Sequence, residues 1–229
     1  MPSLFKFSES ISKTNLENSI NLFDFILENT NCKKILISGS CFEYGKTIGM
    51  CKEVEPIELF NSYFTWAKYS LYQYLLLKCR DIDVVLNWFR IFYVYGPGQR
   101  KGSLIPTIIE SIISKKVPNL KTPKNRNDFI YVKDVAKYFV KAVEINLPSG
   151  IYNLGSGYST SVYDICCKVE DYLLGTKSIS DNVLSSGDKD ETVNFWADMD
   201  LTESSLQINS ITSLDNGIIS HLNYFINKK

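Results

Sequence analysis

The chain has 229 residues, enough for one large domain with a sizeable core. Its 25 basic and 25 acidic residues cancel, which argues against a nucleic-acid groove or a polybasic membrane surface as its main business. No apolar run approaches the ~18 residues of a membrane span. The N-terminal stretch carries Glu9 and lacks a signal-peptide core, and six cysteines form no CxxC pair, so a reduced, cytoplasmic protein is expected.

In chain order, residues 15–28 read as a helix, with Leu16, Ile20, Leu22, Phe23, Phe25 and Ile26 on one broad face and Ser12 or Thr14 as the cap. Ile35, Leu36 and Ile37 form a short apolar run ended by Ser38, Gly39 and Ser40, the pattern of a buried parallel strand. Residues 41–62 are mostly irregular and polar. Asn61 or Ser62 caps a helix over 63–78, residues 83–89 are a second buried strand, and 90–100 are a strand end turning into a loop. A helix over 105–114 tolerates Pro106 in its first turn. A short strand over 128–132 leads into a helix over 133–146 with Val135, Phe139, Val140 and Val143 inward. Residues 150–154 are a strand, 161–174 a helix capped near Ser161, 193–197 a strand and 215–227 a terminal helix. The polar stretch 176–191 reads as a mobile loop. Strands alternating with helices through short loops predict an α/β fold with a parallel sheet.

Ligands of such sheets bind at the carboxyl ends of the strands, which puts Ser40 where chemistry is expected. Lys68 stands one turn into a helix that is otherwise apolar and aromatic, with no acidic residue three or four positions away. Taken alone, Ser40 is a strand-end serine and Lys68 a snorkelling surface lysine. The single histidine, His221, excludes a multi-histidine metal site, and no metal is expected. The loop Gly155-Ser156-Gly157 has the look of a phosphate cradle, but a turn before a helix explains it as well.

Five segments in order carry a resemblance. They are SGSCFEYG (38–45), RIFYVYGPGQR (90–100), NRNDFIYVKDVA (125–136), GIYNLGSGYSTSV (150–162) and NFWAD (194–198). Together they resemble the extended short-chain dehydrogenase/reductase group, the sugar-nucleotide epimerases and dehydratases. The resemblance implies a Rossmann-like, doubly wound parallel sheet with a small C-terminal substrate-binding subdomain, split here as residues 1–100 and 101–229. It implies NAD or NADP as cofactor and a nucleotide-activated sugar as substrate, in surface-polysaccharide sugar synthesis. By position, Ser40 is the family's substrate-orienting serine and Lys68 its ribose-binding lysine. Ser38, Lys68 and Phe92 fall at cofactor-binding positions, and Tyr93, Arg100, Arg126 and Asn127 at substrate-binding ones.

The chain departs from the pattern in four places. The family's proton-transferring tyrosine would stand four residues before Lys68, where this chain has Phe64. Tyr63 is five residues away, about 140° round the helix, and reaches Lys68's face only if the helix start unwinds. Asn127 replaces an arginine, with Arg126 one position earlier, and Ser185 and Ser186 stand where a second phosphate-binding arginine is expected. Tyr93 replaces a substrate-binding asparagine.

The fourth departure is the missing Gly-x-x-Gly-x-x-Gly turn. Each βαβ unit takes ~30 or more residues, and only 34 precede Ile35. The expectation is therefore a partial sheet lacking its first strands, the C-terminal two thirds of such an enzyme, with an open edge at the Ile35 strand. Two functions follow: an epimerase, dehydratase or reductase impaired as this chain stands, or a non-catalytic protein that binds a nucleotide sugar or a partner. The partner would be a second copy or a separately encoded N-terminal half.

Overall fold

The computed structural model describes residues 8–46, 48–57, 60–184, 193–208 and 210–227. Helix α1 (Glu9–Asn29) starts ahead of the expected Asn15, because the hydroxyl of Ser8, rather than Ser12 or Thr14, accepts from the Ile11 amide. It packs on α2 (Tyr63–Asp81), capped by Ser62. Leu16, Ile20, Phe23 and Leu27 of α1 meet a core holding Leu71 and Leu75 of α2. Tyr74 donates to Asp24 at 2.7 Å, and Lys78 reaches Asp24 at 3.0 Å and Glu28 at 2.9 Å. These ion pairs are solvent-screened and weak, so apolar burial dominates the contact.

Beneath these helices lies a parallel sheet of β1 (Lys34–Ser38), β3 (Val85–Ile91) and β7 (Gly150–Leu154), with β3 central. Ile35 and Ile37 face α1 and α2, while Leu36 packs into the cluster on the other side with Phe89, Tyr138 and Ala142. That second face is covered by α4 (Val132–Glu144). The sheet is thus wound on both sides, the Rossmann-like α/β arrangement expected from the sequence. Among the described residues no strand pairs with the outer edge of β1. Lys34, the first residue of that edge, donates to the carbonyls of Ala142 at 3.0 Å and Ile145 at 2.5 Å, which caps the carboxyl end of α4 with a cation.

The remaining strands form two small sheets. One runs β2 (Ile48–Cys51), β9 (Asn194–Ala197), β5 (Arg126–Asn127), β8 (Thr160–Ser161); the other pairs β4 (Tyr93–Tyr95) with β6 (Phe129–Tyr131). Helices α3 (Leu104–Ile113), α5 (Val162–Leu174) and α7 (Leu214–Asn227) share a separate apolar cluster, and α6 (Asp200–Leu206) packs on β7.

Two expectations are corrected here, and one holds. Val140 and Val143 are 58% and 65% exposed, because the inward face of α4 runs through Asp134, Tyr138 and Ala142 and leaves those valines on the far side. The described residues of 41–62 are mostly irregular, as expected, apart from a 3-10 turn (Cys41–Tyr44) and β2. Residues 176–184 are tied down by the buried Glu170, whose carboxylate accepts from the amides of Ile179 at 2.8 Å and Ser180 at 2.7 Å and from the hydroxyl of Thr176 at 3.0 Å. The rest of the predicted loop, with Ser185 and Ser186, lies outside the described residues.

Candidate functional site

Strand β1 ends at Ser38, opposite Phe89, and β3 runs two residues further to Ile91 at the carboxyl edge of the sheet. After Ser38 the chain turns sharply. The Gly39 amide donates to the Phe89 carbonyl at 2.7 Å. A Cβ on Gly39 would run into the indole nitrogen of Trp88 and lie 2.8 Å from Glu43 Oε1, so only glycine fits. Ser40 caps the 3-10 turn: its Oγ accepts from the Phe42 amide at 3.3 Å, and its own amide donates to Glu43 Oε1 at 2.7 Å. This is a reciprocal capping box, and it fixes the serine backbone.

Glu43 is fully buried and ties the two strand ends together. It accepts from the Trp88 indole at 3.0 Å and from Arg90 Nε at 3.2 Å. The Arg90 guanidinium lies 4.3 Å from the centroid of the Tyr44 ring. Burial pushes the Glu43 carboxyl above its ordinary range, while Arg90 and the donors around it pull the other way. Neither Glu43 nor its pairing with Arg90 was read from the sequence. The Ser-x-x-Glu spacing of a capping box was the available signal; the arginine, 47 residues on, left none.

Lys68 closes the site from α2. Its Nζ donates to the Ser38 carbonyl at 2.7 Å, so the ammonium sits two residues from Ser40. Burial lowers the Lys68 pKa, and the charge of Glu43 partly offsets that. The start of α2 is regular α-helix, with the Trp66 amide bonded to the Ser62 carbonyl at 3.1 Å. No unwinding brings Tyr63 round: it is the first helical residue, 50% exposed and off the face of Lys68. Phe64, one turn before Lys68, occupies that face instead. Tyr72, one turn after, packs inward against Trp88 with ring centroids 5.3 Å apart and planes tilted by 57°.

The structure therefore brings Ser38, Ser40 and Lys68 together. Tyr93 stands at the same edge, partly buried, its ring 5.8 Å from that of Phe42 and 5.7 Å from that of Phe129. Phe92 does not line the crevice: its ring is buried against Tyr44 and Phe195, and its amide donates to the Leu154 carbonyl at 2.9 Å. Arg126 and Asn127 belong to the four-stranded sheet. Arg126 donates to the Ser159 carbonyl at 2.8 Å and to Asp164 at 3.4 Å, while Asn127 is 7% exposed opposite Thr160. Arg100 is exposed in the loop after Gly98.

The Gly155–Gly157 loop wraps a carboxylate of the chain itself. The buried Asp128 accepts from the Ser156 amide and hydroxyl, both at 2.6 Å, and from the Gly157 and Ala197 amides, both at 3.1 Å. Those amides are spent internally, so the loop is no phosphate cradle. Burial holds the Asp128 carboxyl above its ordinary range against these four donors.

A nicotinamide dinucleotide needs more than this. The ammonium beside Ser40 suits a ribose hydroxyl at the strand ends. None of the twelve glycines falls in a Gly-x-x-Gly-x-x-Gly pattern, and the Gly155–Gly157 loop is occupied by Asp128. The described residues fit one end of the cofactor and not its pyrophosphate. Among the described residues no cluster of three His, Cys, Asp or Glu is placed to hold a metal ion. No described helix is long and apolar enough to cross a membrane.

Comparison with known proteins gives a consistent picture. A sequence model of the NAD-dependent epimerase/dehydratase family matches residues 4–155. The dTDP-4-dehydro-6-deoxyglucose reductase of Escherichia coli is 27% identical over 180 residues, which cover 75% of this chain and 56% of that protein. This chain thus spans little more than half of that relative's length. The UDP-N-acetylglucosamine 4-epimerase of Methanobrevibacter ruminantium M1, solved with UDP-N-acetylmuramic acid, superposes with a TM-score of 0.81 at 23% identity, covering 96% of this chain and 71% of that one. The Bordetella bronchiseptica enzyme WbmG, solved with NAD, gives 0.80 at 17% identity, covering 98% and 69%. At these identities the structures speak for the fold.

Proposed function

The chain belongs to the NAD-dependent epimerase/dehydratase family, and from that premise we propose that it binds a nucleotide-activated sugar at the carboxyl edge of β1 and β3 without carrying out turnover by itself. The observation that carries this reading is the contact of Lys68 with the Ser38 carbonyl, which seats an ammonium next to Ser40. The Ser40 Oγ accepts from the Phe42 amide, which leaves its O–H to donate to a sugar hydroxyl. Lys68 spends one hydrogen on Ser38 and has two left for a ribose or a phosphate oxygen. Residues 1–100 supply this edge, and residues 101–229 supply the sugar-binding region, with β7 returning to the sheet.

Two features support the lack of turnover. Phe64 has no proton to exchange at the position where a hydroxyl is needed. No pyrophosphate cradle stands among the described turns. A relative named as a dTDP-4-dehydro-6-deoxyglucose reductase supports a nucleotide sugar as the ligand class. The edge of β1, which no described strand covers, is open to pairing with a further strand.

Calorimetric titration of the protein with UDP-glucose, dTDP-glucose and NAD tests the proposal. Saturable heat is expected with at least one nucleotide sugar and is lost in Lys68→Ala. NAD binding with micromolar or tighter affinity would overturn the claim that this chain lacks the cradle, and silence with every nucleotide sugar would overturn the rest.

A further inference from the structure

Over the whole chain the charges cancel, yet residues 100–127 carry seven basic side chains and one acidic, Glu110. The rest of the chain holds 18 basic and 24 acidic residues. The basic segment is anchored in the core: α3 buries Ile108, Ile109 and Ile112, and the loop after it buries Pro118, Leu120 and Pro123. Between those anchors Lys115, Lys116, Val117 and Lys121 stay exposed. Among the described residues none of these three lysines forms an ion pair. Lys115 ends α3 in the left-handed region, at φ 52°. Its amide donates to the Ile112 carbonyl and that of Lys116 to the Ser111 carbonyl, both at 2.9 Å. Glycine is the easier residue at positive φ, so the chain keeps a charge there at a conformational cost. Ile113, 37% exposed, and Val117, 46% exposed, flank the first two lysines.

We propose that the end of α3 and the loop after it, residues 113–121, form a docking surface for an anionic lipid membrane. Lys115, Lys116 and Lys121 meet the headgroups, and Ile113 and Val117 enter the boundary between headgroups and acyl chains. Charge complementarity sets the sign of the partner. The apolar side chains among the lysines favour lipid over nucleic acid, which draws stacking contacts from aromatic rings, and residues 96–128 contain none. The acidic balance of the rest of the chain turns the remaining surface away from the same membrane and so orients the molecule on it. The contact is peripheral and does not depend on the ligand bound at the carboxyl edge of β1 and β3.

The test is co-sedimentation of the full chain with phosphatidylcholine vesicles and with vesicles in which about a third of the lipid is phosphatidylglycerol. Partition into the anionic vesicles is expected to be at least about tenfold stronger, and to fall as salt rises. Lys115→Gly and Lys116→Gln are each expected to weaken it by about fivefold. Lys115→Gly also relieves the positive φ, so it should melt no lower than wild type, which separates lost binding from lost folding. Val117→Ser should weaken binding and leave its salt dependence in place. Equal partition into the two vesicle types, or binding unchanged in both lysine variants, would overturn the proposal. Sedimentation without vesicles that Lys116→Gln abolishes would assign the surface to a second copy of the chain and overturn it as well.

Discussion

The ammonium of Lys68 lies 2.7 Å from the carbonyl oxygen of Ser38, a contact made across 30 residues of sequence. On the other side of Gly39, the Ser40 amide donates to Glu43 at the same distance. One glycine is therefore held between a cation acting on the carbonyl before it and an anion acting on the amide after it. The serine that follows is fixed by residues from both layers of the fold.

The charge of Lys68 is the most accessible consequence. Burial lowers its pKa from 10.5. The folded protein therefore releases this proton at a lower pH than the unfolded chain, and stability rises as pH climbs from the folded value toward 10.5. NMR titration with 13C-labelled lysine should show one lysine with a midpoint below the rest, and that signal should be missing in Lys68→Met. A Lys68 midpoint that is not lowered would contradict the desolvation of its ammonium.

Glu43 and Arg90 form a buried pair, with side chains 0% and 2% exposed. Replacing one partner strands the other charge inside the protein. Glu43→Leu should lose about 3 to 5 kcal/mol of unfolding free energy, and the double variant Glu43→Leu/Arg90→Met should recover part of that loss. A chemical-denaturation double-mutant cycle measures both, and strictly additive losses would mean that the pair is not coupled.

How much of this could be read from the sequence depended on the range of the interaction. Ile35 to Ile37, the Ser161 cap and the strand Gly150–Leu154 were legible because each announces itself within a few residues. The true start of α1 was not, because residues 9–14 add polar turns and no apolar stripe. Val140 and Val143 were misread as inward because α4 is apolar on more than one side, and the neighbours it packs on decide which side is buried. Ser40 and Lys68 were legible through their motif. Their partners were not, since Ser38, Trp88 and Arg90 reach the site only once the two strands lie side by side. Asp128 gave no sign that it would fill the glycine loop.

Glu170 offers a test at acid pH. Its burial works against ionisation, but the donors from Ser180, Ile179 and Thr176 prevail and set its pKa below 4.5. The stabilisation is complete above 4.5 and is lost as pH falls through the lower folded value. Glu170→Gln should be less stable by about 1 to 3 kcal/mol at neutral pH, and the gap from wild type should narrow in acid. Thermal melts across that range measure it, and a constant gap would assign the loss to packing alone.

Phe64→Tyr restores a hydroxyl one turn before Lys68. It should not create turnover, because the same chain still lacks a pyrophosphate cradle. Nicotinamide absorbance in the presence of NAD and nucleotide sugars, followed over hours, checks this. Hydride transfer by the single variant would show that the cofactor is held in a way the fold does not suggest.

The most direct measurement is the backbone amide spectrum of the isotopically labelled protein, recorded as dTDP-glucose or dTDP-6-deoxyglucose is added. Shifts should concentrate at Ser38 to Phe42, at Lys68 and at Tyr93, and should fade in Lys68→Ala. Shifts centred on Arg126 and the four-stranded sheet, or no shifts at all, would contradict a ligand site at the carboxyl edge of β1 and β3.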